Sequence, residues 1–138
     1  MFPRQALKDI LDYCVDSTAM ALTYHLFKNN ETVDTDSVLA DFTESDFGGY
    51  AAKSAVDEAE PVNAGAGEVK SLGSELTWTK TGAPETVQQV YGVYVTFVDE
   101  DAAVCLFAAW NLPAPVAISV AGNLVKVTVD WYAKDYAP

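Results

Sequence analysis

The chain has 138 residues, half of them hydrophobic, which is the length of one domain with a packed core and excludes wholesale disorder. Asp and Glu outnumber Lys and Arg by 20 to 8, for a formal charge of −12. That balance argues against a nucleic-acid backbone or an anionic membrane surface as partner, because both recruit Lys and Arg, and it suits a solvated outer face or a basic protein partner.

Residues 1–16 read as an N-terminal α-helix or arm. Pro3 suits the first helical turn, where its missing N–H costs nothing. Ala6, Leu7, Ile10, Leu11 and Cys14 recur at helical spacing, with Arg4, Lys8 and Asp9 on the other side. Such a helix covers one open end of the domain or docks on a neighbouring subunit. The charges at Arg4, Lys8 and Asp9 do not fit a signal peptide, and no stretch approaches the ~20 apolar residues of a membrane span. Asn30-Glu31-Thr32 spells a glycosylation acceptor, which is discounted without a secretory signal.

Met20 to Lys28 alternates as a strand, with Met20, Leu22, Tyr24 and Leu26 on one face and Ala21, Thr23, His25 and Phe27 on the other. Asn29-Asn30 ends it with turn chemistry. Asp36 offers an N-cap for a short helix over Ser37–Phe42, and Gly48-Gly49 breaks the chain before Tyr50. Residues 53–73 turn polar and small and read mostly as an exposed excursion, with room for short strand pieces.

Leu76–Thr79 reads as a strand. Val87–Val98 is apolar on both faces and is therefore predicted to be central. Asp99-Glu100-Asp101 turns it back into Val104–Trp110 as a hairpin. Pro113 and Pro115 mark an edge or a crossover. A second hairpin is predicted from Val116–Val120 and Leu124–Trp131, with Val125, Val127, Val129 and Trp131 inward and Lys126, Thr128 and Asp130 outward. The fold class expected is mainly β: a single domain over 1–138, an antiparallel β-sandwich or barrel-like domain with an N-terminal α-helix.

One stretch carries more than pattern. His25 to Ala52 contains Leu26-Phe27-Lys28-Asn29-Asn30, a Thr/Asp-rich bend, and then Thr43-Glu44-Ser45-Asp46-Phe47-Gly48-Gly49-Tyr50. It resembles a group of small tailed-bacteriophage virion proteins, whose typical wording is Leu-Phe-x-Asn-Asn followed by Thr-Glu-Ala-x-Phe-x-Gly-Tyr. The likeness covers about one fifth of the chain at motif level. The C-terminal half is similar in pattern only. The resemblance implies a structural particle protein and does not say where on the particle it sits.

Reactive chemistry has little to work with. His25 is the only histidine, and Cys14 and Cys105 lie far apart in sequence. A lone strand histidine reads as a satisfied structural residue, and two apolar cysteines read as reduced structural thiols. No spacing supports a zinc site. Asp34-Thr35-Asp36 opens like a calcium loop, but Leu39 and Ser45 stand where the EF-hand needs Gly and Glu. Gly65-Ala66-Gly67 lacks the third glycine of a dinucleotide fingerprint, and Ser71-Leu72-Gly73-Ser74 is not a nucleophile elbow. The many carboxylates read as a solvated face rather than a glycosidase pair.

The expected function is therefore adhesive rather than enzymatic, with no cofactor and no metal. The chain is expected to be a capsid decoration or cement protein on the virion exterior. Its expected partners are the major capsid protein and copies of itself, as a dimer or trimer. The alternative is a tail or fibre module that binds a receptor glycan. Interface candidates are Phe2, Leu7, Phe47, Tyr50, Trp78, Trp131 and Tyr132, because aromatic and large apolar residues dominate interface cores; for Phe47, Tyr50 and Trp78, which flank loops, packing into the domain's own core is the equal alternative.

Overall fold

A computed structural model describes Leu11 and residues 21–54, 61–65 and 68–134. The chain is mainly β, and the described residues form seven strands in two antiparallel sheets. The strands are β1 (Thr23–Phe27), β2 (Lys53–Ser54), β3 (Val62–Gly65), β4 (Glu68–Thr79), β5 (Gln88–Val98), β6 (Val104–Ile118) and β7 (Leu124–Lys134). One sheet has the order β2-β1-β5-β6 and the other β3-β4-β7. The backbone divides into two compact units, Leu22–Ser54 with Leu76–Lys126, and Met1–Ala21 with Ala55–Glu75 and Val127–Pro138.

The four-stranded sheet lies wholly in the first unit. Its centre is β5, as the two-sided apolar pattern predicts, with β1 on one side and β6 on the other. β1 runs antiparallel to β5, from Thr23 opposite Thr96 to Phe27 opposite Gly92. Leu22, Tyr24 and Leu26 are buried on one face, as their alternation predicts, and Phe27 is buried as well. The segment after β1 covers that second face: Phe42 joins Phe27 and Tyr94 in a core cluster that Val33, Leu39, Tyr91, Leu106 and Ala109 border. Aromatic rings pack through it, with Phe27 tilted against Phe42 at 5.0 Å and Phe42 stacked on Tyr94 at 5.3 Å.

The predicted hairpin after Asp99 forms, with Val98 opposite Val104. Asp99 closes it: its Oδ1 accepts from the N–H of Asp101 (2.9 Å) and of Ala103 (2.8 Å), and Ala102 takes a positive φ. β6 then runs on through both prolines as a single end strand. Val90 faces Val116 and Gly92 faces Asn111, so Tyr91 alone opposes Leu112–Pro115 in a bulge. A bulged edge strand is where a residue without an N–H is tolerated.

The second predicted hairpin does not form. Val116–Ile118 belongs to β6, and β7 lies beside β4 in the other sheet. The turn between them explains the switch. Asn123 Oδ1 accepts from the N–H of Ser119 and Val120, both at 3.0 Å. The turn backbone then bonds to the end of β4: Lys80 N–H donates to Asn123 O (2.8 Å), and Gly122 N–H donates to Lys80 O (3.0 Å). Along β7, Val125, Val127 and Val129 are buried, and Lys126, Thr128 and Asp130 are exposed, as predicted.

Two further expectations change. In place of a helix over Ser37–Phe42 there is a single 3-10 turn at Leu39–Asp41. Asp34, not Asp36, organises its approach by accepting from Asp36 N–H (2.9 Å), and Asp41 Oδ2 accepts from Val38 N–H (2.7 Å). Within residues 53–73 the chain forms β2, β3 and the start of β4, where Val69 and Ser71 are fully buried. Of the helix predicted over Pro3–Cys14, all but Leu11 lies outside the described residues, and Leu11 is buried.

Candidate functional site

The motif between His25 and Ala52 forms the richest polar arrangement of the described chain. Backbone pairing sets its frame. Lys28 N–H donates to Thr43 O and Ser45 N–H to Leu26 O, both at 2.8 Å, and Glu44 bridges Phe27, so residues 43–45 run beside β1. Asn29 fastens the intervening bend by donating from Nδ2 to Asp41 O and accepting at Oδ1 from Thr43 N–H, each at 2.7 Å. Asn111 of β6 does the same from the far side, accepting from Val33 N–H (3.0 Å) and donating to Glu31 O (2.6 Å).

His25 stands at the junction. Its Nδ1–H donates to Glu44 Oε1 at 2.8 Å, so a neutral ring accepts at Nε2 from the Thr96 hydroxyl at 3.0 Å. The ring lies on Tyr94 at 4.6 Å with a 7° interplanar angle. Glu44 Oε1 also accepts from Tyr50 OH (2.8 Å), and that hydroxyl accepts from Leu26 N–H (3.1 Å). Burial, and then the Glu44 carboxylate, push the Tyr94 phenol up to about 12. Burial pushes Tyr50 up as well. Both phenols therefore stay protonated.

Hydroxyl, imidazole and carboxylate in line have the connectivity of a nucleophile–base–orienter set. Thr96, however, is 4 % exposed in the central strand. Its hydroxyl is committed to the His25 ring. What the arrangement does is join β1, β5 and the 43–50 segment through side chains that satisfy one another.

A second cluster sits beside it. Lys28 Nζ meets Asp46 Oδ2 at 2.7 Å, and Gln88 Nε2 donates to Asp46 Oδ1 at 2.5 Å. The Lys28 and Gln88 bonds hold the Asp46 carboxyl below its ordinary value. A third cluster centres on Lys80, whose side chain is 1 % exposed. Its Nζ donates to Thr81 O (2.5 Å) and Ala83 O (2.9 Å) and lies 3.6 Å from Glu85 Oε2, while Glu85 Oε1 accepts from Gly48 N–H (3.0 Å). Gly48 has no room for a Cβ, which would come within 2.7 Å of Thr81 O and 2.9 Å of Lys80 Nζ.

The interface candidates separate. Phe47 and Trp78 are buried inside the chain, which favours core packing over an interface role for both. Phe47 packs edge-on against Tyr50 at 5.4 Å. Trp78 alternates with buried Leu76 and donates from Nε1 to Ala51 O at 2.9 Å. Tyr50 is half-buried with its hydroxyl in the Glu44 network, and Trp131 is half-buried in β7. Phe2, Leu7 and the side chain of Tyr132 lie outside the described residues.

Cys105 is a free, half-buried thiol; burial and Asp99, at 3.5 Å, raise its pKa and leave it a poor nucleophile. Among the described residues no three His, Cys, Asp or Glu side chains converge as a metal site, and no helix is long and apolar enough to cross a membrane. Compared with family models, curated proteins and solved structures, the chain matches none.

Proposed function

We propose that this chain is a structural protein of a tailed-bacteriophage virion that decorates the capsid exterior and cements it by non-covalent adhesion. The resemblance of His25–Ala52 to small virion proteins motivates this reading. The observation that carries it is how the motif is used. Leu26, Phe27, Phe42 and Phe47 fill the core, Asn29 fastens the bend, and Glu44, Tyr50 and His25 tie it to the sheet. Such a segment is fastened to the sheet at both ends and makes a rigid face. We read the two antiparallel sheets as the layers of a sandwich that presents this face.

The mechanism is additive contact. Each Å² of apolar surface buried against the shell contributes roughly 25 cal/mol, and repetition over a lattice raises weak single contacts to stable occupancy through avidity. The proposed partners are the major capsid protein and copies of the chain. The excess of acid keeps the outward side solvated and favours a basic acceptor patch.

The test is rebinding. Purified protein added to shells stripped of it is expected to reoccupy them and to raise their thermal and osmotic tolerance. Binding confined to tail preparations or to isolated host glycans would overturn the capsid assignment in favour of a tail or fibre module.

A further inference from the structure

We propose that the far end of the β5–β6 hairpin, where Val98 and Val104 stand exposed beside the 99–103 turn, is the surface by which this chain docks, and that it fits a protein patch with an apolar centre and a Lys/Arg rim. This rests on the adhesive reading above and names its contacting surface. The pairing pattern sets this end apart. β1 runs beside β5 only from Gly92 to Thr96. Beyond Thr96 the ladder has two strands, with Phe97 opposite Cys105 and Val98 opposite Val104. Val98 and Val104 are 57 % and 56 % exposed, and among the described residues no large hydrophobic side chain is more exposed. Single exposed valines are ordinary. Directly opposed side chains, however, start from Cβ atoms about 4.5–5.5 Å apart, so these two form one patch. Ala102 and Ala103, next to them in the turn, are exposed as well.

The turn is fixed before any partner arrives. Asp99 N–H donates to Ala103 O (3.0 Å), and Ala102 N–H donates to Asp99 O (3.1 Å). The Asp99 carboxylate is used up by the turn itself, taking the N–H of Asp101 and Ala103 at Oδ1 and facing the Cys105 thiol at Oδ2. Phe97 packs edge-on against Phe107 at 6.2 Å, where the two-stranded section begins. Glu100 and Asp101 are left over. Both are exposed, and among the described residues neither carboxylate meets a cation or a hydrogen-bond donor. A surface already held in shape binds without the cost of ordering it.

Charge complementarity selects the occupant. From Gln88 to Ile118 the only charged side chains are Asp99, Glu100 and Asp101, and no Lys or Arg stands between Lys80 and Lys126. The charge of the hairpin is therefore of one sign and lies wholly beside the apolar pair. A neutral or acidic acceptor would desolvate Glu100 and Asp101 with nothing to match them. A rim of Lys or Arg matches them while an apolar centre covers the valines. The net charge of −12 disfavours a second copy in that place. The contact is small, so stable occupancy comes from its repetition over a lattice.

Two measurements on the full chain test this. In nuclear magnetic resonance titrations with a short peptide of Lys and Leu, the largest amide shifts are expected over residues 97–105 rather than over the acidic bend 31–41. A Lys and Ser peptide of equal charge is expected to bind several-fold more weakly. In rebinding to stripped shells, E100Q with D101N is expected to weaken binding several-fold and to flatten its decline with salt. V98T with V104T is expected to weaken it at every salt concentration. D36N with D130N, which removes as many charges at exposed positions outside the hairpin, is expected to leave it unchanged. Shifts spread evenly over the acidic residues, equal binding of the two peptides, or hairpin variants that rebind no worse than D36N with D130N would each overturn the docking surface. A chain that ignores shells yet takes the Lys and Leu peptide through 97–105 removes the capsid reading and keeps this surface; a chain whose hairpin variants rebind shells like the parent does the reverse.

Discussion

The ring of Phe27 occupies the space that a side chain at Gly92 would need. The two residues face each other across β1 and β5, and a Cβ at 92 would collide with the Phe27 ring and with the Trp110 carbonyl of β6. The central strand therefore carries glycine for want of room, at a position where its φ is ordinary. Gly92→Ala is expected to lower stability by about 1–3 kcal/mol through overpacking, read as a lower urea midpoint with an unchanged slope. A neutral outcome would mean that the three strands part more easily than their register implies.

Asn29 ties the β1 end of the bend to its far end at Asp41 and Thr43 with both a donated and an accepted bond. Asn29→Ala leaves Asp41 O and Thr43 N–H without that partner. A loss of about 1–3 kcal/mol is expected, together with faster amide hydrogen exchange confined to residues 29–43. Asn29→Asp keeps the acceptor and loses the donor, so it is expected to fall between parent and alanine variant.

Lys80 presents a different case, because its ammonium is buried against two carbonyls. Lys80→Met keeps the volume of the stem and strands Thr81 O, Ala83 O and Glu85. The expected cost is about 1–3 kcal/mol by thermal unfolding. Combining it with Glu85→Gln is expected to cost less than the sum of the two, since both side chains belong to one network.

Acid should weaken the motif through Asp46. Its carboxyl is held below the ordinary value by bonds from Lys28 and Gln88, so the proton binds more readily to the unfolded chain. The stabilisation is present above the unfolded carboxylate value near about 3.9 and is lost as pH falls through the lower folded value. Asp46→Asn is expected to be less stable than the parent at neutral pH, with the gap closing across that acid range. Denaturation midpoints measured against pH check both the sign and the window. The effect is small because the pair faces solvent.

Much of the fold was legible where the side chains alternate. β7 shows its inward Val125, Val127 and Val129 against outward Lys126, Thr128 and Asp130, and β5 shows two apolar faces because consecutive residues from Gly92 to Thr96 are all buried. The start of β4 offers no such signal. Its buried positions include Ser71, and its short polar residues read as a loop until the strand partners are known. The partner of β7 is decided by bonds between Lys80 and the 122–123 backbone, about forty residues apart in sequence, which no local pattern contains.

The site divides in the same way. Trp78 alternates with Leu76, and that spacing was a usable sign that its ring points inward. Nothing local joins His25 to Glu44 or Thr96, which lie 19 and 71 positions away. A lone histidine reads as satisfied on general grounds, and only the pairing of β1 with β5 says by which groups.

The position of that imidazole makes it a built-in spectroscopic probe. With a single histidine in the chain, its ring resonances need no assignment by mutation. They sense the Tyr94 ring current, the Glu44 carboxylate and the Thr96 hydroxyl at once. One nuclear magnetic resonance signal can therefore follow whether the 43–50 segment is seated while the protein is titrated with shells, salt or denaturant.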